Sequence, residues 1–134
     1  MLQEYAGKLR LVIKHYPYRY RDYSYLAAQA AEAARVQGKF WEYFDLMMAE
    51  KRLTRDDLLG YAEQLKLDVP RFTSELDSEQ HRPRVEKDVE LARQLDLYQT
   101  PCFVINGRLL VGERPIEKFR ALIDLALDEA DKKP

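Results

Sequence analysis

The chain has 134 residues, of which 46% are hydrophobic and 34% charged, with a formal net charge of −1 at pH 7. A single domain of this length buries about two-thirds of the surface of its unfolded chain. Because positive and negative residues are interspersed, the composition argues against a nucleic acid or an anionic membrane as partner. No apolar run approaches the ~18 residues of a transmembrane helix, and the first residues do not form a signal peptide. As the sequence stands, the lack of a signal peptide would make the protein cytoplasmic, and the compartment is otherwise left open.

The N-terminal part predicts a helix end, a strand and an aromatic connection. Residues 1–8 resemble the tail of a helix that Gly7 stops. Leu9–Lys14 is rich in β-formers and predicts a short strand. Four tyrosines then lie between positions 18 and 25, among Arg19, Arg21 and Asp22. They suit a basic ligand-binding loop or a connection whose rings pack on helices, and we favour the connection.

Periods of 3.6 residues predict a block of helices over about residues 24–95. Ser24 is a candidate cap for a helix over 25–36 with a small alanine face. The next helix is aromatic, and its spacing favours core packing over a cofactor site, with residues 40, 41, 44, 47 and 48 facing the core.

Three further helix starts are predicted from capping residues and prolines. Thr54 begins the third helix with a capping box, and Pro70 suits the first turn of the fourth. The fifth begins at Asp77 or Ser78 and runs to about residue 95, with Pro83 tolerated only near its start.

Residues 100–112, TPCFVINGRLLVG, predict a β-hairpin. Asn106-Gly107 lies between two apolar runs and suits a type I′ turn, which needs positive φ at both positions. Neither run alternates with polar residues, so we expect helices on both faces. Pro101 marks the first strand residue, and base rates alone favour a trans bond before it. A final amphipathic helix follows Pro115, its apolar face formed by Ile116, Phe119, Leu122, Ile123, Ala126 and Leu127.

The motif Thr-Pro-x-Phe-hydrophobic-Ile-Asn-Gly, preceded by the alanine-rich and "GKFW" segments of residues 27–47, resembles the DsbA-like branch of the thioredoxin fold. The resemblance implies an α/β, thioredoxin-like (DsbA-type) fold with an inserted helical block, incomplete at the N-terminus. It implies one domain over residues 1–134, with the thioredoxin part at about 1–17 and 98–131 and the insertion at about 24–95. It also implies a cis Pro101 that faces the redox site beside Thr100, so both are candidate substrate-binding residues.

Catalysis in this family requires a C-x-x-C pair, and this sequence has a single cysteine. We therefore expect a relative of thiol:disulfide oxidoreductases that is redox-inactive as this chain. Cys102 is the one catalytic candidate, although a small buried hydrophobe is the favoured interpretation. His15 or His81 would have to lie beside Cys102 to act as its base, and surface or capping roles are expected for both. The alternatives are a binding or assembly module, and a single-thiol or glutathione-dependent enzyme.

The resemblance also indicates partners. In the family, a preceding strand lies between the counterpart of Leu9–Lys14 and the hairpin, so two apolar strand edges would be left unpaired. Direct closure, a second copy or another chain could cover them, and a homodimer is favoured; a trimmed start of a longer protein would explain the same facts. A protein thiol or disulfide, or an extended peptide, is the expected substrate. No residue pattern indicates a metal or a cofactor.

Overall fold

The computed structural model describes residues 2–21 and 23–133, so Met1, Asp22 and Pro134 lie outside the description. The elements in chain order are α1 (Ser24–Val36), α2 (Phe40–Glu50), α3 (Arg55–Gln64), α4 (Val69–Asp77), α5 (Arg82–Gln94), β1 (Cys102–Ile105), β2 (Arg108–Val111) and α6 (Ile116–Asp131). They belong to two compact units, a helical unit of residues 14–92 and a hairpin unit of residues 1–13 and 93–134. One domain over residues 1–134 stays a prediction. Within the described ranges, no helix is long and apolar enough to cross a membrane.

The core of the helical unit lies where α1 meets α2, α3 and α4. Ala30, Ala33 and Ala34 of α1 are completely buried, because their small side chains let the neighbouring helices approach closely. Tyr43 is completely buried as well, and its hydroxyl donates to the carbonyl of Leu58 at 2.8 Å. Burial raises the pKa of Tyr43. The predicted alanine face is therefore the centre of this core.

Two of the predicted helix starts agree with the structure. Thr54 and Asp57 form a complete capping box at α3, in which each side chain bonds the backbone N–H of the other. At α4, the Asp68 side chain accepts the N–H of Arg71, and Pro70 lies in the first turn. These starts were predictable because they depend on residues close together in sequence.

Two other starts were predicted wrongly. Tyr23, rather than Ser24, is the N-cap of α1; its φ is 63° and it makes no side-chain capping bond. Helix α5 begins at Arg82 instead of residue 77 or 78, after a turn in which Glu79 has a φ of 52°. A start at residue 78 would have placed Pro83 where its ring meets a carbonyl of the preceding turn, whereas α5 has Pro83 as its second residue.

The aromatic helix α2 turns only part of its predicted face to the core. Tyr43 is its buried residue, whereas the side chains of Trp41 and Met48 are 44% and 61% exposed. Phe40 and Phe44 are half-buried, and both rings meet Trp41 edge to face at centroid distances of 5.2 and 5.9 Å. The predicted inward face is therefore wrong for Trp41 and Met48, whereas Met47 packs against the core and Phe40 and Phe44 are half-buried.

The tyrosine segment also packs largely on itself. The rings of Tyr18 and Tyr20 are stacked 5.3 Å apart, and the Arg21 guanidinium lies 5.8 Å from the Tyr18 ring centroid. Tyr20 is 78% exposed, so the expected packing of these rings on helices is wrong for Tyr20. Tyr25 does meet a helix, through Arg82 of α5.

In the hairpin unit, the predicted turn is confirmed. Asn106 and Gly107 have φ values of 45° and 85°, as a type I′ turn requires. The antiparallel register pairs Cys102 with Val111 and Val104 with Leu109.

The predicted strand over Leu9–Lys14 is wrong, because these residues have no strand partner in the described chain. The β-propensity of a segment does not by itself make a strand, since a strand is stabilised by its cross-strand neighbours. Residues 2–8 form turns rather than an α-helical end, and Gly7 has a φ of 76°.

Helix α6 covers one face of the hairpin. The Phe103 and Phe119 rings meet edge to face at 4.8 Å, and Arg108 pairs with Glu129. The other face carries Val104 and Leu109, which are 57% and 52% exposed. The expectation of helices on both faces is therefore wrong for the second face.

Candidate functional site

The predicted substrate-binding residues Thr100 and Pro101 lie directly before β1 and are exposed. The bond between them is cis, so the base-rate expectation of a trans bond is wrong here. The Pro101 carbonyl accepts the N–H of Gly112 at 2.8 Å, which ties the open end of the hairpin together.

The segment that leads into this bond begins with a sharp turn after α5. Asp96 has a φ of 55°, a left-handed conformation that aspartate adopts more readily than most residues, and its N–H donates to the Arg93 carbonyl at 3.0 Å. The Tyr98 hydroxyl donates to the Asp96 carboxylate at 3.2 Å. Residues 96–99 follow this turn and lie beside Cys102, Leu109 and Val111.

An open groove of about 290 Å³ lies between this segment and the uncovered face of the hairpin. Cys102 and Val111 are cross-strand partners, so the pleat places both on the same face as Val104 and Leu109. The residues that line the groove are Asp96, Leu97, Tyr98, Gln99, Cys102, Leu109 and Val111. We call this feature the Cys102 groove.

The Cys102 groove is mostly apolar and contains one thiol. Cys102 is half-buried in its wall, in place of the full burial expected for a small hydrophobe. Asp96 is the one charged side chain in the lining. Among the described residues, no group of three or more histidine, cysteine, aspartate or glutamate side chains could hold a metal ion. The groove therefore combines an apolar wall with a half-buried thiol and one carboxylate.

A family model described as thioredoxin (Thioredoxin_4) matches residues 1–125. The chain belongs to this thioredoxin family. A thioredoxin-like oxidoreductase from Silicibacter pomeroyi DSS-3 superposes on 86% of the chain and 66% of its own length, with a TM-score of 0.75 and 24% sequence identity. The predicted DsbA-like family and the α/β, thioredoxin-like fold are confirmed.

Curated relatives of this thioredoxin-family chain are much longer proteins. The Na(+)/H(+) antiporter NhaA 3 of Salinispora tropica is 38% identical over 136 residues, a match that covers 100% of this chain and 21% of the relative. The Na(+)/H(+) antiporter NhaA 1 of Salinispora arenicola is 41% identical over 120 residues, which cover 88% of this chain and 18% of the relative. The chain thus spans about a fifth of the length of these relatives.

The helical unit of this thioredoxin-family chain holds a buried charged cluster that the sequence did not reveal. His15 is buried, and its Nε2 donates to Glu32 at 2.7 Å, so the expected surface or capping role is wrong for His15. The His15 backbone N–H donates to Asp88 at 3.0 Å, and Arg84 donates to the same carboxylate at 2.7 Å. Both carboxylates are about 2% exposed. We call these residues, with Arg35, the His15 cluster.

In the His15 cluster, hydrogen bonds and neighbouring charges lower the pKa values of the carboxylates more than burial raises them. Burial alone would raise the pKa of Glu32, but the hydrogen bond and charge of His15, with Arg35 and Arg84, hold this pKa below its ordinary value of 4.5. For Asp88 also, burial acts upward, and the bonds from Arg84 and the His15 N–H hold the pKa below 3.8. Both carboxylates are therefore ionised at neutral pH.

The second histidine has the same kind of partner. His81 is half-buried, and its Nε2 donates to Glu75 at 2.6 Å, while Arg71 donates to the other oxygen at 2.7 Å. Burial acts to raise the pKa of Glu75, but these two partners lower it. Both imidazoles are thus bonded to buried glutamates inside the helical unit. The i,i+4 spacings of Arg71 with Glu75 and of Arg84 with Asp88 are visible in the sequence, but such spacing is equally typical of exposed pairs.

Proposed function

We propose that this 134-residue chain forms the polypeptide-binding part of a thiol:disulfide oxidoreductase of the DsbA-like type. We further propose that the chain by itself carries out no disulfide exchange. The observation that supports both statements is the Cys102 groove, which is open, apolar and next to Thr100-Pro101, and whose only sulfur is Cys102.

The shape of the hairpin favours an extended ligand. In the described chain, β2 is the single neighbour of β1, so the outer edge of β1 leaves backbone donors and acceptors available. An extended peptide bonds to such an edge through its main chain and places alternate side chains in adjacent pockets. Val104 and Leu109 provide an exposed apolar surface for those side chains. Unfolded polypeptides, which are the substrates of disulfide-forming enzymes of this type, have the required conformation.

The single thiol argues against exchange by this chain alone. Catalysed exchange needs one sulfur that attacks as a thiolate and a second that resolves the mixed disulfide. Cys102 begins a strand, whereas reactive thiols of this chemistry lie at a helix N-terminus, where the dipole stabilises the thiolate. A second sulfur would have to come from outside these 134 residues.

The test is the reduction of insulin by dithiothreitol, followed by turbidity in the presence of the chain or of Cys102→Ser. We expect both proteins to leave the rate at that of dithiothreitol alone. A rate that rises with the wild-type chain and falls to background with Cys102→Ser would contradict the proposal. It would instead establish the alternative of a single-thiol enzyme that uses Cys102.

A second candidate function is that of an accessory segment in a larger membrane polypeptide. It is favoured by the identity of 38% that extends over the whole chain in a Na(+)/H(+) antiporter. The coding sequence on either side of this chain tests the idea. An uninterrupted frame that encodes a series of long apolar helices would support it, and stop codons on both sides would contradict it.

A homodimer is a further proposal for the edge of β1. Two copies could pair their β1 strands in an antiparallel, isologous manner and shelter Val104. Sedimentation equilibrium of the wild-type chain and of Val104→Lys tests this arrangement. A concentration-dependent dimer that the lysine abolishes would support it, whereas a monomer at all concentrations would contradict it.

A further inference from the structure

We propose that the Cys102 groove selects apolar segments that carry a positive charge, through the carboxylate of Asp96. The inference rests on the proposed polypeptide-binding function and adds the chemical class of the bound segment. Its basis is the asymmetry of the lining, in which Asp96 is the one charged residue and four of the other six are Leu97, Cys102, Leu109 and Val111.

The position of Asp96 makes its charge available to a ligand. Its backbone is fixed by the turn after α5, where the Asp96 N–H donates to Arg93 and φ is 55°. Tyr98 donates to one carboxylate oxygen, Oδ1, at 3.2 Å, which orients the side chain beside the groove. Asp96 itself is exposed, so a cation of the ligand can reach it without the cost of burial.

The arginine of the hairpin, Arg108, does not neutralise the Asp96 carboxylate at the groove. Arg108 is the cation within the two strands, and its register partner is Ile105, which lies on the opposite face from Cys102. On that face, Arg108 pairs with Glu129 of α6. The uncovered face thus presents apolar strand residues next to one carboxylate. An extended segment with apolar side chains and a lysine or arginine at one end matches both features.

The magnitude follows from the exposure of Asp96. Exposed ion pairs contribute little, and for a pair of this kind we expect a preference of about two- to fivefold over a neutral ligand. A glutamate in place of the lysine should weaken binding by a similar factor. High salt should remove most of the difference, because it screens exposed charges.

The experiment measures fluorescence anisotropy for three labelled peptides with the same apolar core and a terminal lysine, glutamine or glutamate. The proteins are the wild type, Asp96→Asn and the control Asp128→Asn, which removes one exposed carboxylate from α6. Asparagine tolerates positive φ as well as aspartate does, and it keeps an oxygen for the Tyr98 hydroxyl, so Asp96→Asn should fold normally. Leu109→Ser, at an exposed lining position, reports whether binding occurs in the groove.

We expect the wild type and Asp128→Asn to bind the peptides in the order lysine, glutamine, glutamate, and Asp96→Asn to lose most of this order. Equal affinities for the three peptides, all weakened by Leu109→Ser, would overturn the charge selection and leave the polypeptide-binding proposal standing. No binding of any peptide, or binding that Leu109→Ser does not affect, would overturn the proposed function and the inference with it.

Discussion

Removal of the Asp88 carboxylate should destabilise the helical unit more than any surface change nearby. Asp88 is 2% exposed, accepts hydrogen bonds from the backbone N–H of His15 and from Arg84, and forms an ion pair with Lys14 at 3.4 Å. Asp88→Ala leaves the His15 N–H buried without its acceptor and removes the partner of two cations. The mutation therefore tests whether the His15 cluster stabilises the fold.

The size of the effect follows from the exposure of the partners. Breaking a buried ion pair costs about 3–5 kcal/mol, and an unsatisfied buried donor costs about 1–3 kcal/mol. The side chains of Arg84 and Lys14 are 35% and 51% exposed, so both can return to water and reduce the cost. We expect a loss of about 3 kcal/mol, which corresponds to a fall in Tm of about 12–24 °C for a cooperative unit of this size.

Thermal and urea unfolding, followed by circular dichroism at 222 nm, measure the loss. Asp45→Ala is the matched control, because it removes an exposed aspartate from helix α2 of the same unit and should change stability by less than about 0.5 kcal/mol. Asp88→Asn keeps an oxygen for the His15 N–H and should cost less than Asp88→Ala. Equal stabilities for Asp88→Ala and Asp45→Ala would refute the structural role of the cluster.

Three further predictions concern stability. The folded-state pKa values of Glu32 and Asp88 lie below 4.5 and 3.8, respectively. The two carboxylates therefore contribute to the free energy of unfolding above about pH 5, and this contribution is lost as the pH falls through their folded-state pKa values. The free energy of unfolding, measured by urea titration, should therefore fall between about pH 6 and 3, and it should fall less steeply in Glu32→Gln. The same pH dependence in Glu32→Gln and in the wild type would contradict the prediction. Thr54→Ala should cost about 1 kcal/mol in urea unfolding through loss of the capping box, and Thr54→Ser much less; equal costs would contradict the capping role. Ala33→Leu should lower stability by at least about 1–3 kcal/mol, because Ala33 is completely buried, and the exposed Ala49→Leu should not; similar Tm values for the two variants would be inconsistent with the close helix packing.

The elements that the sequence predicted well depend on local interactions. The hairpin follows from Asn106-Gly107 and the start of α3 from Thr54 and Asp57, and in both cases the deciding residues are at most three positions apart. The family could be predicted from residues 100–107 for a related reason, since this motif is continuous in sequence.

The errors concern long-range partners. The segment Leu9–Lys14 has the composition of a strand, but a strand needs a neighbour that composition does not provide. The burial of His15 depends on Glu32 and Asp88, which lie 17 and 73 positions away. The Cys102 groove was missed for the same reason, because its wall combines residues 96–99 with β2 and requires that one hairpin face stay uncovered.

The central claim is that the Cys102 groove binds an extended polypeptide. The most direct test is a titration of the ¹⁵N-labelled chain with reduced, carboxymethylated α-lactalbumin, a permanently unfolded polypeptide, followed by two-dimensional NMR. The account predicts saturable shifts of the amides of residues 96–99, Cys102, Leu109 and Val111, and much smaller shifts in the same residues of Leu109→Ser. Shifts confined to the helical unit, or no shifts at all, would contradict it.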